Sequence, residues 1–275
     1  MSAAPGRVTL RRWSSAGPGS PEQDRVAVEE PLEIRVGGRG IAVVMRTPGH
    51  DRELAAGFLL TEGVIRRAED LLDLLPCREQ AGGASGNVIE AVLAPGVAVD
   101  FSRLTRHVFS SSSCGVCGKA ALDGLFAQAP GVAAGPAFDP RALATLPEQL
   151  RAAQPGFGAT GGLHGCALFD AAGRLEVVRE DVGRHNAVDK VLGQALQAGR
   201  VPLVDRGLLV SGRISFELVQ KALMAGIPLV AGLGAPSSLA VDGARRGGQT
   251  LVGFLRADRS NVYAGPERLG LPEVP

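Results

Sequence analysis

Residues 207–255 read GLLVSGRISFELVQKALMAGIPLVAGLGAPSSLAVDGARRGGQTLVGFL, and this stretch decides the fold. Short apolar runs at 207–210, 228–231 and 250–255 predict strands. Between them, residues 216–224 and 238–245 predict two helices, and Gly and Ser punctuate the junctions. Strands alternating with helices of this length imply a three-layer α/β sandwich around a mostly parallel sheet. Upstream, apolar residues 163–169 and 175–179 flank Asp170-Ala171-Ala172-Gly173, a hairpin signature. A helix over 186–197, closed by Gly199, leads into the decisive stretch.

The first half has a different rhythm. Residues 1–22 are rich in Pro, Gly and Ser and are expected to form a flexible N-terminus. Val26 and Val28, then Leu32, Ile34 and Val36, alternate as strands do, and 41–45 is a short apolar run. Gly37-Gly38-Arg39-Gly40 marks a turn between them. After the break at Thr47-Pro48-Gly49-His50, residues 53–66 carry Leu54, Phe58, Thr61, Val64 and Ile65 at helical spacing. Residues 88–92 and 97–100 are again strand-like, and a short helix is expected near 140–152. The organisation read from this is a flexible 1–22, a smaller β-rich N-terminal domain over 23–108, a loop and connecting segment over 109–158, and an α/β domain over 159–275.

Composition sets the function classes. Twenty-nine basic and 28 acidic residues leave a net charge of +1, so neither nucleic acid nor a membrane surface is an expected partner. No apolar run approaches the 18–20 residues of a membrane span, and the N-terminus lacks a signal-peptide core, so a cytoplasmic location is expected. Four cysteines are too few for a disulfide scaffold in a chain of 275 residues.

Two of the four form Cys114-Gly115-Val116-Cys117, within the small-residue run Ser-Ser-Ser-Ser-Cys-Gly-Val-Cys-Gly at 110–118. Three uses compete: half of a zinc site, a redox pair, or a thiol that relays sulfane sulfur. A Ser- and Gly-rich loop gives a relay thiol reach, and Lys119, one of only three lysines, would favour the thiolate. Cys166 and His164 could complete a Cys₃His zinc set. Against it, no His precedes a Glu at zinc-deaminase spacing, and a Cys in an apolar strand is usually a small buried hydrophobe. No structural metal is therefore expected.

Polar groups concentrate elsewhere too. Residues 179–190 bring Asp181, Arg184, His185, Asn186 and Lys190 to one strand-to-helix junction. His164 starts a strand beside three glycines. Ser211-Gly212-Arg213 and Gly234-Ala235-Pro236-Ser237-Ser238 also leave strands and enter helices, where free N–H groups favour phosphate. Phe254-Leu255-Arg256-Ala257-Asp258-Arg259 closes the last predicted strand with cations. Together these junctions point to a diphosphate- or nucleotide-bearing ligand.

Several segments, in order, resemble the FdhD family of formate dehydrogenase accessory sulfurtransferases. They are Arg46-Thr47-Pro48-Gly49, Leu54-Ala55-Ala56-Gly57-Phe58-Leu59-Leu60-Thr61-Glu62-Gly63, Ser113-Cys114-Gly115-Val116-Cys117-Gly118, Thr160-Gly161-Gly162-Leu163-His164, Glu180-Asp181-Val182-Gly183-Arg184-His185-Asn186-Ala187-Val188-Asp189-Lys190, Ser211-Gly212-Arg213 and Asn261-Val262-Tyr263. The resemblance implies a sulfur carrier. A cysteine desulfurase would load a persulfide onto Cys114, with Cys117 assisting. The sulfur would pass to a molybdenum or tungsten bis-molybdopterin guanine dinucleotide destined for the formate dehydrogenase catalytic subunit. It also implies a homodimer, a cytidine deaminase-like second domain without zinc chemistry, and cofactor contacts at residues 254–259. With His164, His185, Ser211 and Arg213 from the junctions, these make the candidate cofactor site. A zinc-dependent deaminase-like hydrolase and a non-catalytic cofactor chaperone are the alternatives.

Overall fold

The computed structural model describes residues 4–77, 86–101, 131, 132 and 135–272. Cys114, Cys117 and Lys119 lie outside the described residues.

The chain opens with β1 (Gly6–Ser14) and β2 (Gly17–Val26), an antiparallel hairpin turned at Gly17 with φ +106°. This corrects the flexible terminus expected over 1–22. Most of the ribbon is exposed, so no hydrophobic alternation announces it, and Pro and Gly near the turn resemble a linker. Trp13 near the tip is 79% exposed.

Next come β3 (Glu30–Val36), β4 (Arg39–Arg46), α1 (Asp51–Thr61), a 3₁₀ turn (Ala68–Asp70), β5 (Leu71–Pro76) and β6 (Val88–Leu93). They form a four-stranded sheet in the order β4-β3-β6-β5. Leu32, Ile34, Val36, Leu74, Ile89 and Ala91 turn inward, in one apolar cluster with Leu54, Phe58 and Leu59 of α1. The helix stops at Thr61, short of the predicted 66. Gly63, at φ +73°, donates to the Leu60 carbonyl and ends it. Val64 and Ile65 keep the helical spacing only because the chain folds back onto the Leu59 carbonyl. The expected strand at 97–100 is absent: Val97 closes a turn onto Ala94. The sheet edge is taken instead by β5, whose Asp and Pro disguised it.

The second half contains α2 (Pro140–Leu143), α3 (Leu146–Ala152), α4 (Pro155–Thr160), β7 (His164–Phe169), β8 (Leu175–Asp181), α5 (Arg184–Gln197), β9 (Gly207–Val210), α6 (Phe216–Met224), β10 (Leu229–Gly232), α7 (Ser238–Arg246), β11 (Thr250–Gly253), β12 (Asn261–Ala264) and a 3₁₀ turn (Pro266–Leu269). Pro147, which has no N–H to donate, starts α3 and splits the helix expected at 140–152. The six strands lie in the order β12-β11-β10-β9-β7-β8. Only β9, β10 and β11 pair in parallel; β7, β8 and β12 are antiparallel to their neighbours. The sheet is thus mixed rather than mostly parallel. Helices α6 and α7 connect the three parallel strands and α5 leads from β8 past β7 to β9, whereas short turns join β7 to β8 and lead into β12.

Alternation along the strands separates two apolar layers. Cys166, Leu168, Leu208, Val210, Val230 and Leu251 face α5, α6 and α7. Ala167, Phe169, Leu209, Leu229, Ala231 and Val252 face Phe138, α2 and α3. This is the expected three-layer arrangement. The first layer is continuous with α1 and the four-stranded sheet, so one core serves both halves.

Candidate functional site

The parallel strands β9, β10 and β11 end at one edge, and their loops form a hydrogen-bonded belt there. The Gly234 amide donates to the Gly212 carbonyl and the Phe254 amide to the Gly234 carbonyl, each at 3.0 Å. A Cβ on Gly234 would lie 2.8 Å from the Gly212 oxygen, so the two backbones meet only because no side chain intervenes. Antiparallel β7 starts at this same edge. There Ser211 Oγ accepts from the Gly165 amide at 2.9 Å, and the Ser211 amide donates to Gly165 O. Ser211 therefore anchors His164 beside Gly212, where a Cβ would sit 3.5 Å from His164 Nδ1.

Beyond β11, Phe254, Arg256, Arg259 and Asn261 line a shallow cavity of about 270 Å³. Phe254 adopts φ +52°, a left-handed conformation rare for an aromatic residue, and the residue is 41% exposed. Strain of this kind collects at ligand sites. Arg256 Nη1 donates to the carbonyls of Leu233 and Leu255, both at 2.7 Å, which fixes its guanidinium at the cavity wall. Arg259 pairs with the exposed Asp258 at 3.1 Å. Leu255 belongs to the apolar core, and Ala257 is exposed outside the cavity lining.

The charge-dense segment divides in two. Asp181 and Lys190 form an ion pair of 2.7 Å, both fully buried. The Thr47 amide donates to Asp181 Oδ2 at 3.1 Å, Lys190 Nζ donates to Thr47 O at 2.8 Å, and Asn186 Nδ2 bridges Asp181 Oδ1 and Met45 O. These residues clamp the 45–47 segment onto the start of α5 and have no capacity left for a ligand. Arg184 and His185 stay at the rim. His185 Nε2 is enclosed with no hydrogen-bond partner among the described residues, 3.9 Å from Glu217 Oε2. Burial, then Lys221 and Arg184, pushes its pKa down to about 4. Burial and Arg184 likewise lower that of His164, so both imidazoles are uncharged at neutral pH. Arg213 is exposed.

A second buried cluster went unread in the sequence. Lys221 Nζ donates to Thr61 Oγ1 at 2.8 Å and to both Asp189 oxygens at 2.9 and 3.0 Å, tying together α1, α5 and α6. Burial raises the Asp189 pKa to about 6 even against these bonds. A polar residue at a helical position carries no sign of a partner more than a hundred residues away.

A family model described as FdhD/NarQ matches residues 27–270. The chain belongs to the FdhD/NarQ family. It is 51% identical to a protein of Streptomyces avermitilis over 97% of both chains, and 52% identical to one of Mycobacterium tuberculosis over 90% of this chain and 92% of that one. Both relatives are named sulfur carrier protein FdhD. A crystal structure from Desulfotalea psychrophila, assigned as a formate dehydrogenase accessory protein, superposes with a TM-score of 0.76 at 28% identity, over 96% of this chain and 99% of that one.

In this FdhD/NarQ protein Cys166 lies wholly in the core, and burial drives its thiol pKa up. It packs as a small apolar side chain, which takes it out of the Cys₃His set weighed from the sequence. Among the described residues, no helix is long and apolar enough to cross a membrane.

Proposed function

We propose that this protein carries sulfur for formate dehydrogenase maturation, in the cytoplasm and as a homodimer. The observation that carries this reading is the Cys114-Gly115-Val116-Cys117 pair inside a chain half identical, over nearly its full length, to proteins named sulfur carriers. The Cys114 thiolate attacks the outer sulfur of a cysteine desulfurase persulfide. That S–S bond breaks, the desulfurase thiolate leaves, and Cys114 holds the persulfide without net oxidation. Lys119, adjacent in sequence to the pair, favours the thiolate. Cys117 then attacks the inner sulfur. A Cys114–Cys117 disulfide forms, the outer sulfur departs at the sulfide level with the pair's two electrons, and a cellular dithiol restores the pair.

The acceptor is molybdenum or tungsten bis-molybdopterin guanine dinucleotide, bound as substrate before its insertion into the formate dehydrogenase catalytic subunit. The strand-end belt supports this. Phe254 offers a stacking face, Arg256, Arg259 and Arg213 offer guanidiniums for phosphate, and His164 and His185 offer uncharged nitrogens. The test is a sulfur chase. Radiolabelled cysteine and a desulfurase load the protein, and the label is followed into formate dehydrogenase. Label should reach the enzyme with wild type and not with Cys114→Ala. If Cys114→Ala activates the enzyme fully, the protein is a cofactor chaperone and not a sulfur carrier.

A further inference from the structure

The hairpin arm of β1 and β2 has two unlike faces. On one, Gly6, Leu10, Glu22 and Asp24 are half-buried. The other carries Arg7, Thr9, Arg11, Pro21, Gln23 and Arg25, all exposed. Arg7 stands directly opposite Arg25 in the antiparallel register, and Arg11 follows on the same strand about 14 Å away. The arm's two acids lie on the first face, where Glu22 pairs with Arg12 and Asp24 accepts from the Arg25 amide at 2.8 Å. Among the described residues Arg7 and Arg25 have no ion-pair partner, and Arg11 Nη1 donates to the Gly19 carbonyl at 3.3 Å.

Like charges directly opposite each other destabilise a ribbon, and a lone two-stranded hairpin is marginally stable in water. An anionic partner turns that repulsion into attraction. A protein that grips nucleic acid neutralises about six to ten phosphates, whereas this face offers three arginines on a chain of net charge +1, which fits an acidic protein surface. Trp13, 79% exposed near the tip, agrees, because Trp and Arg carry much of the binding energy at protein interfaces. The root of the arm fixes which protein. β2 runs on to Ala27, and a Cβ on Gly162 would lie 3.4 Å from the Ala27 Cβ, just before β7 starts at the strand-end edge. We propose that the basic face of the arm docks an acidic surface of the formate dehydrogenase catalytic subunit and holds it beside that edge. This docking rests on the sulfur-carrier reading above, in which the acceptor sits at the edge and the catalytic subunit collects it there.

The test is the association rate of the full chain with purified formate dehydrogenase catalytic subunit, measured by biolayer interferometry over a range of salt. Arg7→Gln with Arg25→Gln should slow association about tenfold or more and flatten its salt dependence. Arg7→Lys with Arg25→Lys keeps both charges and should stay within about threefold of wild type. Neutralising the arginines removes a repulsion, so the Gln variant should match or exceed the wild-type Tm, which separates lost docking from lost folding. Desulfurase loading of Cys114 should stay at the wild-type level in both variants. If the Gln variant associates like wild type, or if its sulfur loading falls instead, the arm does not dock the catalytic subunit. If it loses binding to phosphatidylglycerol vesicles rather than to the subunit, the arm meets a lipid surface and the proposal falls. A wild type that loads sulfur but does not bind the subunit overturns the docking alone, and one that takes up no sulfur overturns the carrier reading beneath it.

Discussion

Gly57 in α1 and Gly193 in α5 bring two helix backbones into direct contact. A Cβ on Gly57 would lie 1.8 Å from the Asp189 carbonyl oxygen, and one on Gly193 1.8 Å from the Glu53 oxygen and 2.6 Å from the Gly57 nitrogen. Neither glycine has positive φ, so the backbone itself would accept alanine. Propensity alone predicts that Gly→Ala stabilises a helix by about 1 kcal/mol. The contact predicts the reverse: Gly57→Ala or Gly193→Ala should cost about 1–3 kcal/mol or more, as overpacking does. Thermal unfolding decides by the sign of the change in Tm.

The contact also sets Asp189 against Lys221. Lys221→Met leaves a buried carboxylate without its cation and should cost roughly 3–5 kcal/mol in urea unfolding. The double variant Asp189→Leu with Lys221→Met should regain much of that loss. If the double variant lost as much as Asp189→Leu and Lys221→Met lose when added together, the pair would have no coupling.

Stability should depend on pH through His185. Its pKa falls from 6.5 in the unfolded chain to about 4 in the folded one, because burial disfavours the cation. The unfolded state therefore binds more protons between those values. The stabilising effect is complete above pH 6.5 and is lost as pH falls toward 4. Asp189, raised to about 6, acts with the opposite sign in part of this window, so the comparison must be with a variant. The stability difference between wild type and His185→Gln should shrink as pH falls from 6.5 to 4. A constant difference would show that His185 titrates normally.

Trp13 is the only tryptophan and is 79% exposed on the hairpin arm. Its fluorescence should already be solvent-like in the native protein and shift little through an unfolding transition that circular dichroism reports in full. A strong red shift on unfolding would mean that the arm is covered. Trp13→Ala should change stability by less than about 0.5 kcal/mol.

What the sequence disclosed follows from what was buried. The α/β layer was legible because Leu208, Leu209 and Val210 are all enclosed, which gives continuous apolar runs closed by Gly and Ser. The hairpin of β1 and β2 was invisible because neither of its faces is consistently buried. Direction within the sheet was misread because alternation with helices ends at β11, and nothing in Asn261–Ala264 says which way the strand runs. At the candidate site, Arg256 and Arg259 after β11 and Ser211 after β9 were readable as polar groups that follow strands. The division of residues 181–190 into an inner clamp and an outer rim was not, because it depends on Thr47, far away in sequence, reaching Asp181 and Lys190.

The most direct test of sulfur carriage is the intact mass of the protein after incubation with a cysteine desulfurase and cysteine. Wild type should gain the mass of one sulfur atom, lose it on reduction, and show no gain as Cys114→Ala. An unchanged wild-type mass, or the same reducible gain on Cys114→Ala, would contradict a persulfide at position 114.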